Sequence, residues 1–531
     1  MTVPLAAQMT GQEAALWEKA LALQDRGQAL QAIDQLRQLG RRLIRQRNDP
    51  AGILDIARQL CFLYDHGTAL TFLEALVRQA GAQPALLVRL ALLMIRESRY
   101  PDAARFARAV LEQARPDRES AADARLLLAE CGERQGHFEE ADQMVAETLK
   151  THPASIPAHR LMAVIQRRQG RPDLALATLS DLLKKGGPPH WETCRAWFEL
   201  GHLQDQLGNH AAAWRAWITA REHHAADTDW NVLRHQAGHV WDHVRDLHRS
   251  LSRDQPIRWG SGGQEELPGA ARLAVLTGHP RSGTTLLEQA LDAHSGIVSL
   301  EETTVFTSNV YRPLFQHGPA AGTPAERLDS MEPRERRHWQ REYLGLTRLA
   351  LGEDARGRLR VDKNPDLLQL LPAWTRIFPG AKIIVMLRDP RDLLVSMFSQ
   401  ALPPNHTSWS YRTPESTAAM ISQRLGMWHH LRQALPAEGW HEIRYENLVS
   451  NFRDGVNGVL EFLGCPPEDS TAQPEVHALQ KVVRSPTYAA VQTPVHTRAV
   501  ARWRNYEEML APHLKTLRPA LEGLGYVRDG F

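Results

Sequence analysis

The sequence predicts two architectures in one chain. Residues 10–225 read as an all-α helical solenoid and residues 271–531 as an α/β domain with a parallel sheet, with a helical extension and linker over 226–270 between them. Three observations carry this. Over the first 225 residues, apolar side chains recur at helical spacing in a background rich in Ala, Leu, Gln and Arg. A small residue returns at Ala32, Ala69, Ala104, Ala141, Ala175 and Ala213, at intervals of 37, 35, 37, 34 and 38 residues. From residue 271 onward, short apolar runs (ARLAVLTG, AKIIVMLRD, HEIRYENL) alternate with helical stretches, the pattern of parallel strands with helical crossovers.

Composition narrows the function classes. At about 150 residues per domain, a chain of 531 residues holds three or four domains, or a repeat array plus one large domain. With 63 basic and 61 acidic residues the formal charge is +2, too balanced to argue for nucleic-acid binding. Cys61, Cys131, Cys194 and Cys465 are scattered and form no CxxC pair, so neither a zinc ribbon nor a disulfide scaffold is expected. A reducing, cytoplasmic location fits that usage. The first twenty residues lack a basic stretch followed by an apolar core, so no signal peptide is expected. No run of about 18 apolar residues suggests a membrane span.

In the array, the clearest units are AECGERQGHFEEADQMVAETLKTHP and AVIQRRQGRPDLALATLSDLLKKGGP. Each reads as a helix, a turn at Gly136 or Gly170, a second helix carrying Ala at the close contact, and a terminating Pro153 or Pro188. The pattern resembles tetratricopeptide repeats, about six of them, degenerate at the start. The resemblance implies a solenoid whose concave face binds a partner segment and which carries no chemistry itself. Peptide or carrier-protein docking and homodimerisation are both open to it.

The stretch SRDQPIRWGSGGQEELPG (252–269) is rich in Gly, Pro and polar residues and reads as a linker. The His-rich stretch before it reads as a helix, since its spacing gives no HExxH or compact carboxylate/His set, and no metal is expected.

The strongest local signal is LAVLTGHPRSGTTLLEQALDAH (273–294). A strand ends at Gly278, a loop runs to Gly283, and a helix opens at Thr284 and Thr285. Strand, glycine-containing loop and helix N-terminus together cradle phosphate with backbone N–H groups. In a nucleoside-triphosphate P-loop the residue after the second Gly is Lys; here it is Thr284, and the loop's cation is Arg281 instead. The site is thus P-loop-like but departs from an ATPase.

GHPRSGTT resembles the 5′-phosphosulfate loop of sulfotransferases that use 3′-phosphoadenosine 5′-phosphosulfate (PAPS). The resemblance implies Gly278, Arg281, Ser282, Gly283, Thr284 and Thr285 as ligands of that co-substrate. A second segment, IIVMLRDPRDLLVSMFSQ, delivers Arg388 at a strand end and Ser396 eight residues later. Both are suitable phosphate donors; by resemblance they bind the 3′-phosphate. In SGIVSLEETTVF two adjacent carboxylates, Glu301 and Glu302, supply the kind of base that acceptor deprotonation needs. The segment is similar to the Glu-Glu-Thr motif of tyrosylprotein sulfotransferases, which implies Glu302 as the general base. The Arg found two positions later in that family is Thr304 here, which puts recognition of a tyrosine peptide in question. In RVDKNPDLL, Lys363 sits where a strand meets a helix, and by resemblance it approaches the bridging oxygen of the sulfuryl group. Near the C-terminus a basic loop around Trp503 resembles the segment that closes over the co-substrate. Ser485 or Thr487 corresponds to its hydroxyl ligand and Arg502 to its cation. RYENL (444–448) reads as structural.

The resemblance spans about 271–510 and implies a PAPS-dependent sulfotransferase acting on an acceptor hydroxyl, with protein tyrosine, carbohydrate, lipid and small phenols all open. Two other readings stand beside it. One is a repeat-based interaction scaffold with an inactive nucleotide-binding domain; the other is an unusual P-loop kinase, against which the missing Lys argues.

Overall fold

The computed structural model describes residues 11–46, 50–184, 190–223, 228–261, 267, 269–317, 322–481, 483–485 and 488–527. The N-terminal part is a run of antiparallel helix pairs. They are Gly11–Asp25 with Ala29–Gln46, Pro50–Phe62 with His66–Ala80, Pro84–Arg96 with Tyr100–Leu111, Arg118–Gln135 with Phe138–Thr151, Ile156–Arg168 with Pro172–Lys184, and Trp191–Gln206 with His210–His223. All six recurring alanines lie on the second helix of a pair and all are buried. A larger side chain there would hold the helices apart. At Gly201 a Cβ would come within 2.2 Å of the Trp217 indole, so only glycine lets that pair close. Turns are fixed locally: Asp117 accepts from Ser120 N–H at 2.8 Å to start one helix, and Gly136 ends it at φ +80°.

The expected linker is partly regular. Its residues Asp254–Ser261 form a helix, because Trp259 buries its ring and donates its indole N–H to Asp329 at 2.9 Å. Residues 262–266 and 268 lie outside the described set. The His-rich stretch is the helix Trp230–Ser250, as expected.

The C-terminal part is built on a parallel sheet of five strands: β1 (Leu273–Gly278), β2 (Ile297–Ser299), β3 (Leu359–Lys363), β4 (Lys382–Leu387) and β5 (Trp440–Arg444). Their order is β2-β3-β1-β4-β5. β1 is buried at every position, which is why it reads as a continuous apolar run rather than an alternation. The third expected strand, 441–448, is a strand only to Arg444. Tyr445–Ser450 turns into a helix instead.

Array and sheet domain are docked along their length. A single cluster of buried apolar side chains runs from Ala20 in the first helix to Leu524 near the C-terminus. Polar links reinforce it. Leu30 N–H donates to Glu342 at 3.0 Å, Tyr488 O–H to Glu133 at 2.7 Å, and Arg221 to the Phe398 carbonyl at 2.8 Å. Among the described residues no helix is long and apolar enough to cross a membrane.

Candidate active site

The loop after β1 is shaped by its backbone. Gly278 adopts φ +150°, and a Cβ there would meet the Met386 carbonyl oxygen at 2.4 Å and Ser282 Oγ at 2.8 Å. β1 and β4 therefore approach as closely as two backbones can at this point, which only glycine permits. Arg281 is itself left-handed, at φ +75°, and its side chain reaches Ser396 in the helix that follows β4. Gly283 caps the helix Thr284–Asp292 at φ +100°, against the Tyr445 ring.

The loop opens into a cavity of about 420 Å³ at the carboxyl ends of β1, β3 and β4. Of the residues singled out from sequence, Arg281, Gly283, Thr284, Thr285, Glu302, Arg388, Ser396, Ser485 and Arg502 line it. Gly278 and Ser282 are not among its lining residues. Thr487 lies outside the described residues.

The cations are tied into the loops they serve. Arg281 Nε donates to Ser396 Oγ at 3.2 Å. Burial pushes the Arg281 guanidinium down to about 10, and the Arg388 charge adds to that. Arg388 donates to the Arg281 carbonyl at 3.0 Å and the Ala499 carbonyl at 2.6 Å, and lies 4.6 Å over the Tyr445 ring. It thus clamps the loop after β1 to the C-terminal segment. Asp392 anchors that segment from below, accepting N–H groups of Ala501 at 2.9 Å and Trp503 at 2.7 Å. Thr285 Oγ1 donates to Ser485 Oγ at 2.9 Å, which brings the C-terminal hydroxyl onto the helix start. Arg502 pairs with Asp205 of the last repeat at 2.8 Å, so this cavity-lining cation is held by the array.

At the loop, Ser282 Oγ and Arg388 Nε are buried donors without a hydrogen-bond partner among the described residues. Unpaired buried donors beside two guanidinium groups suit a bound oxyanion, which would satisfy them.

The carboxylate side of the cavity is organised by Lys363, at the end of β3. It is fully buried, with Nζ 2.8 Å from Glu302 Oε1 and 3.0 Å from Glu288 Oε2. Burial alone would lower its pKa; the charges of Glu288 and Glu302 outweigh that and raise it. Lys363 does not line the cavity, and reaches it through Glu302. Glu301 takes no part in this pair. Its backbone is left-handed, at φ +54°, and its carboxylate meets Lys481 at 3.1 Å and Arg484 at 3.6 Å. The adjacent glutamates are therefore turned to different partners, and only Glu302 lines the cavity.

Several residues of this site carry no signature in the sequence. Glu288 looks like any polar residue of an amphipathic helix. Tyr64, at φ +65° in a turn of the second repeat, accepts the Thr304 N–H at 2.6 Å and so steadies the segment carrying Glu302. Asp205 and Asp392 likewise act through the tertiary fold. Only the Asp392 position, inside the Arg388 motif, had a local hint.

Fold and site together define a class: a parallel α/β domain with a glycine-containing strand–loop–helix turn at a cavity, docked on a helical repeat array. Residues 274–469 match the sulfotransferase family model, and residues 107–165 match a tetratricopeptide repeat model. The chain thus carries a segment similar to the sulfotransferase family beside one similar to tetratricopeptide repeats. An uncharacterised protein of Aquifex aeolicus is 23% identical over 398 residues, covering 73% of this chain and 49% of its own. The match thus spans about half the length of that relative. Protein-tyrosine sulfotransferase 1 of Danio rerio is 26% identical over 294 residues, 53% of this chain and 78% of its own. Among solved structures, the sulfotransferase domain of the Synechococcus PCC 7002 olefin synthase is similar, with a TM-score of 0.35 and 19% identity over 50% of this chain and 98% of that one. The sulfotransferase STF9 from Mycobacterium avium aligns with a TM-score of 0.28 and 16% identity over 61% of this chain and 91% of its own.

Proposed function

We propose that this chain is a sulfotransferase that moves the sulfuryl group of PAPS to an acceptor hydroxyl, with protein tyrosine the first acceptor to test. One observation carries the reading: a carboxylate paired to a buried ammonium shares one cavity with three guanidinium groups and the helix N-terminus that ends a phosphate-type loop. A base for the acceptor and an electropositive cradle for an anionic donor are the two halves that the transfer needs.

The roles are those that the family resemblance implies for these residues. Arg388 and Ser396 hold the 3′-phosphate, while Ser282, Thr284, Thr285 and the backbone from Gly278 to Gly283 hold the 5′ end. Arg281 and Arg502 flank the anion. The acceptor oxygen attacks sulfur in line as the bond from sulfur to the bridging phosphate oxygen breaks. The acceptor proton passes to Glu302. Arg281 balances the charge that grows on the leaving phosphate, with the Ser485 hydroxyl assisting, while Lys363, which does not line the cavity, acts through Glu302. Side-chain cations do the neutralising throughout. The repeats present the acceptor or a partner protein, and Tyr64 and Asp205 couple them to the cavity.

The test is transfer from sulfur-labelled PAPS to a panel of tyrosine peptides, phenols, carbohydrates and lipids, with Glu302→Gln in parallel. Labelled product that falls at least a hundredfold in the variant supports the reading. No transfer to any acceptor, with no formation of 3′-phosphoadenosine 5′-phosphate, sinks it.

A further inference from the structure

One ammonium stands between two carboxylates at the floor of the site. Lys363 Nζ meets Glu302 on the cavity side and Glu288 on the interior side, at 2.8 and 3.0 Å. Glu302 keeps a third of its side chain exposed (35%), whereas Lys363 and Glu288 are sealed. Only one of the two carboxylates can therefore reach an acceptor, and nothing in the sulfuryl-transfer scheme above uses the other.

We propose that Glu288 is a positioning residue: it holds Lys363 from the interior, keeping the ammonium charged and in place while Glu302 turns to the acceptor hydroxyl and takes its proton. This rests on reading the site as one for sulfuryl transfer. The physical need is plain. If Lys363 had Glu302 as its sole partner, protonating Glu302 during turnover would leave a buried ammonium unpaired, a strongly unfavourable state. A one-to-one pair would also lock Glu302 and depress its basicity. A second, interior carboxylate removes both problems.

The surroundings fix Glu288 in this role. It projects from the helix that starts at the phosphate-type loop, and its other oxygen accepts the Ser299 hydroxyl from β2. Lys363 and Asp362 face it from β3, Glu301 from the segment after β2, and Lys481 from the end of the helix Pro474–Gln480. Burial pushes the Glu288 carboxyl up to about 7, with Lys363 and Lys481 pulling the other way and Glu301 reinforcing the rise.

The experiment compares wild type, Glu288→Gln and Glu288→Asp in the full chain. It measures kcat and the KM for PAPS from pH 5 to 10, and urea unfolding alongside. Where the Glu288 carboxyl is ionised, Glu288→Gln removes a negative charge next to Lys363, which then loses its proton more readily. The alkaline limb of the pH profile is expected to move to lower pH by about half to one unit. The expected fall in kcat is at least tenfold, with the donor KM within threefold. Glu288→Asp keeps the charge and is expected to leave the limbs in place. Equal losses in the two variants with an unmoved profile would mean packing alone and overturn the proposal. If Glu288→Gln does not fold, Ser299→Ala loosens the same carboxylate, and an unchanged kcat there overturns it. Should wild type transfer nothing, the sulfuryl-transfer reading fails. The hold on Lys363 is then decided by a double-mutant cycle of Glu288→Gln with Lys363→Met. A coupling of tenfold or more in the folding equilibrium at pH 8, shrinking at pH 6, supports the hold; less than twofold at pH 8 refutes it.

Discussion

Replacing Arg388 with alanine should weaken binding of 3′-phosphoadenosine 5′-phosphate by about 2.5–4 kcal/mol, the sum of the two contributions that follow. The guanidinium has two jobs. Its Nη atoms tie the Arg281 carbonyl to the Ala499 carbonyl, at 3.0 and 2.6 Å, and so hold the two loops that flank the cavity. Its Nε is buried and unpartnered, the donor still free for a ligand. A charge-assisted hydrogen bond to phosphate contributes about 1.5–3 kcal/mol, and loosening the clamp adds roughly 1 kcal/mol. At 1.4 kcal/mol per decade, the dissociation constant rises about two to three orders of magnitude. Arg388→Lys keeps the charge without the planar fork and should lose roughly half as much. Titration calorimetry of the three proteins, with ATP as the comparison ligand, measures this. A folded Arg388→Ala protein that binds within threefold of wild type would refute the assignment. ATP binding as tightly as the 3′-phosphorylated nucleotide would turn the reading toward a kinase.

Other outcomes follow from the same geometry. Tyr64→Phe removes the oxygen that accepts the Thr304 N–H at 2.6 Å; kcat should fall about tenfold with donor affinity unchanged, which steady-state kinetics would show. Gly278→Ala forces a Cβ to 2.4 Å from the Met386 carbonyl oxygen, and should cost on the order of 3 kcal/mol in urea unfolding and abolish nucleotide binding. His66 and His279 are held neutral, mainly by burial, at about 4 and about 3. Unfolded, both take up protons near pH 6.5, so stability is full above that pH and is lost as the pH falls toward the folded values. At pH 5 the two together should cost about 4 kcal/mol, seen as a lower urea midpoint than at pH 7.5; an unchanged midpoint would contradict it.

What could be read in the sequence is local in the chain. The loop from Gly278 to Thr285 announces itself because strand end, glycines and hydroxyls must be contiguous to form one turn. The repeat spacing announces itself because the second helix of each pair carries a small residue at the same place, and the six from Ala32 to Ala213 are all buried. Arg388 and Ser396 are likewise set by one strand-to-helix corner. Where local reading erred, packing had overridden propensity. The polar stretch 252–269 turns helical over Asp254–Ser261 because Trp259 finds a buried place and a partner in Asp329. The strand expected through residue 448 ends at Arg444 because Tyr445 turns under Gly283.

The sequence by itself determined the two-part architecture, the anion-cradling loop and which acidic pair stands near it, since each depends on neighbours along the chain. Only the tertiary structure decided which glutamate faces the cavity, that Lys363 is shared with Glu288, and that Tyr64 and Asp205 of the repeats brace the site. Those contacts join residues far apart in sequence, and their strength comes from burial. A carboxylate or a tyrosine is unremarkable until the fold removes its water and leaves it one partner.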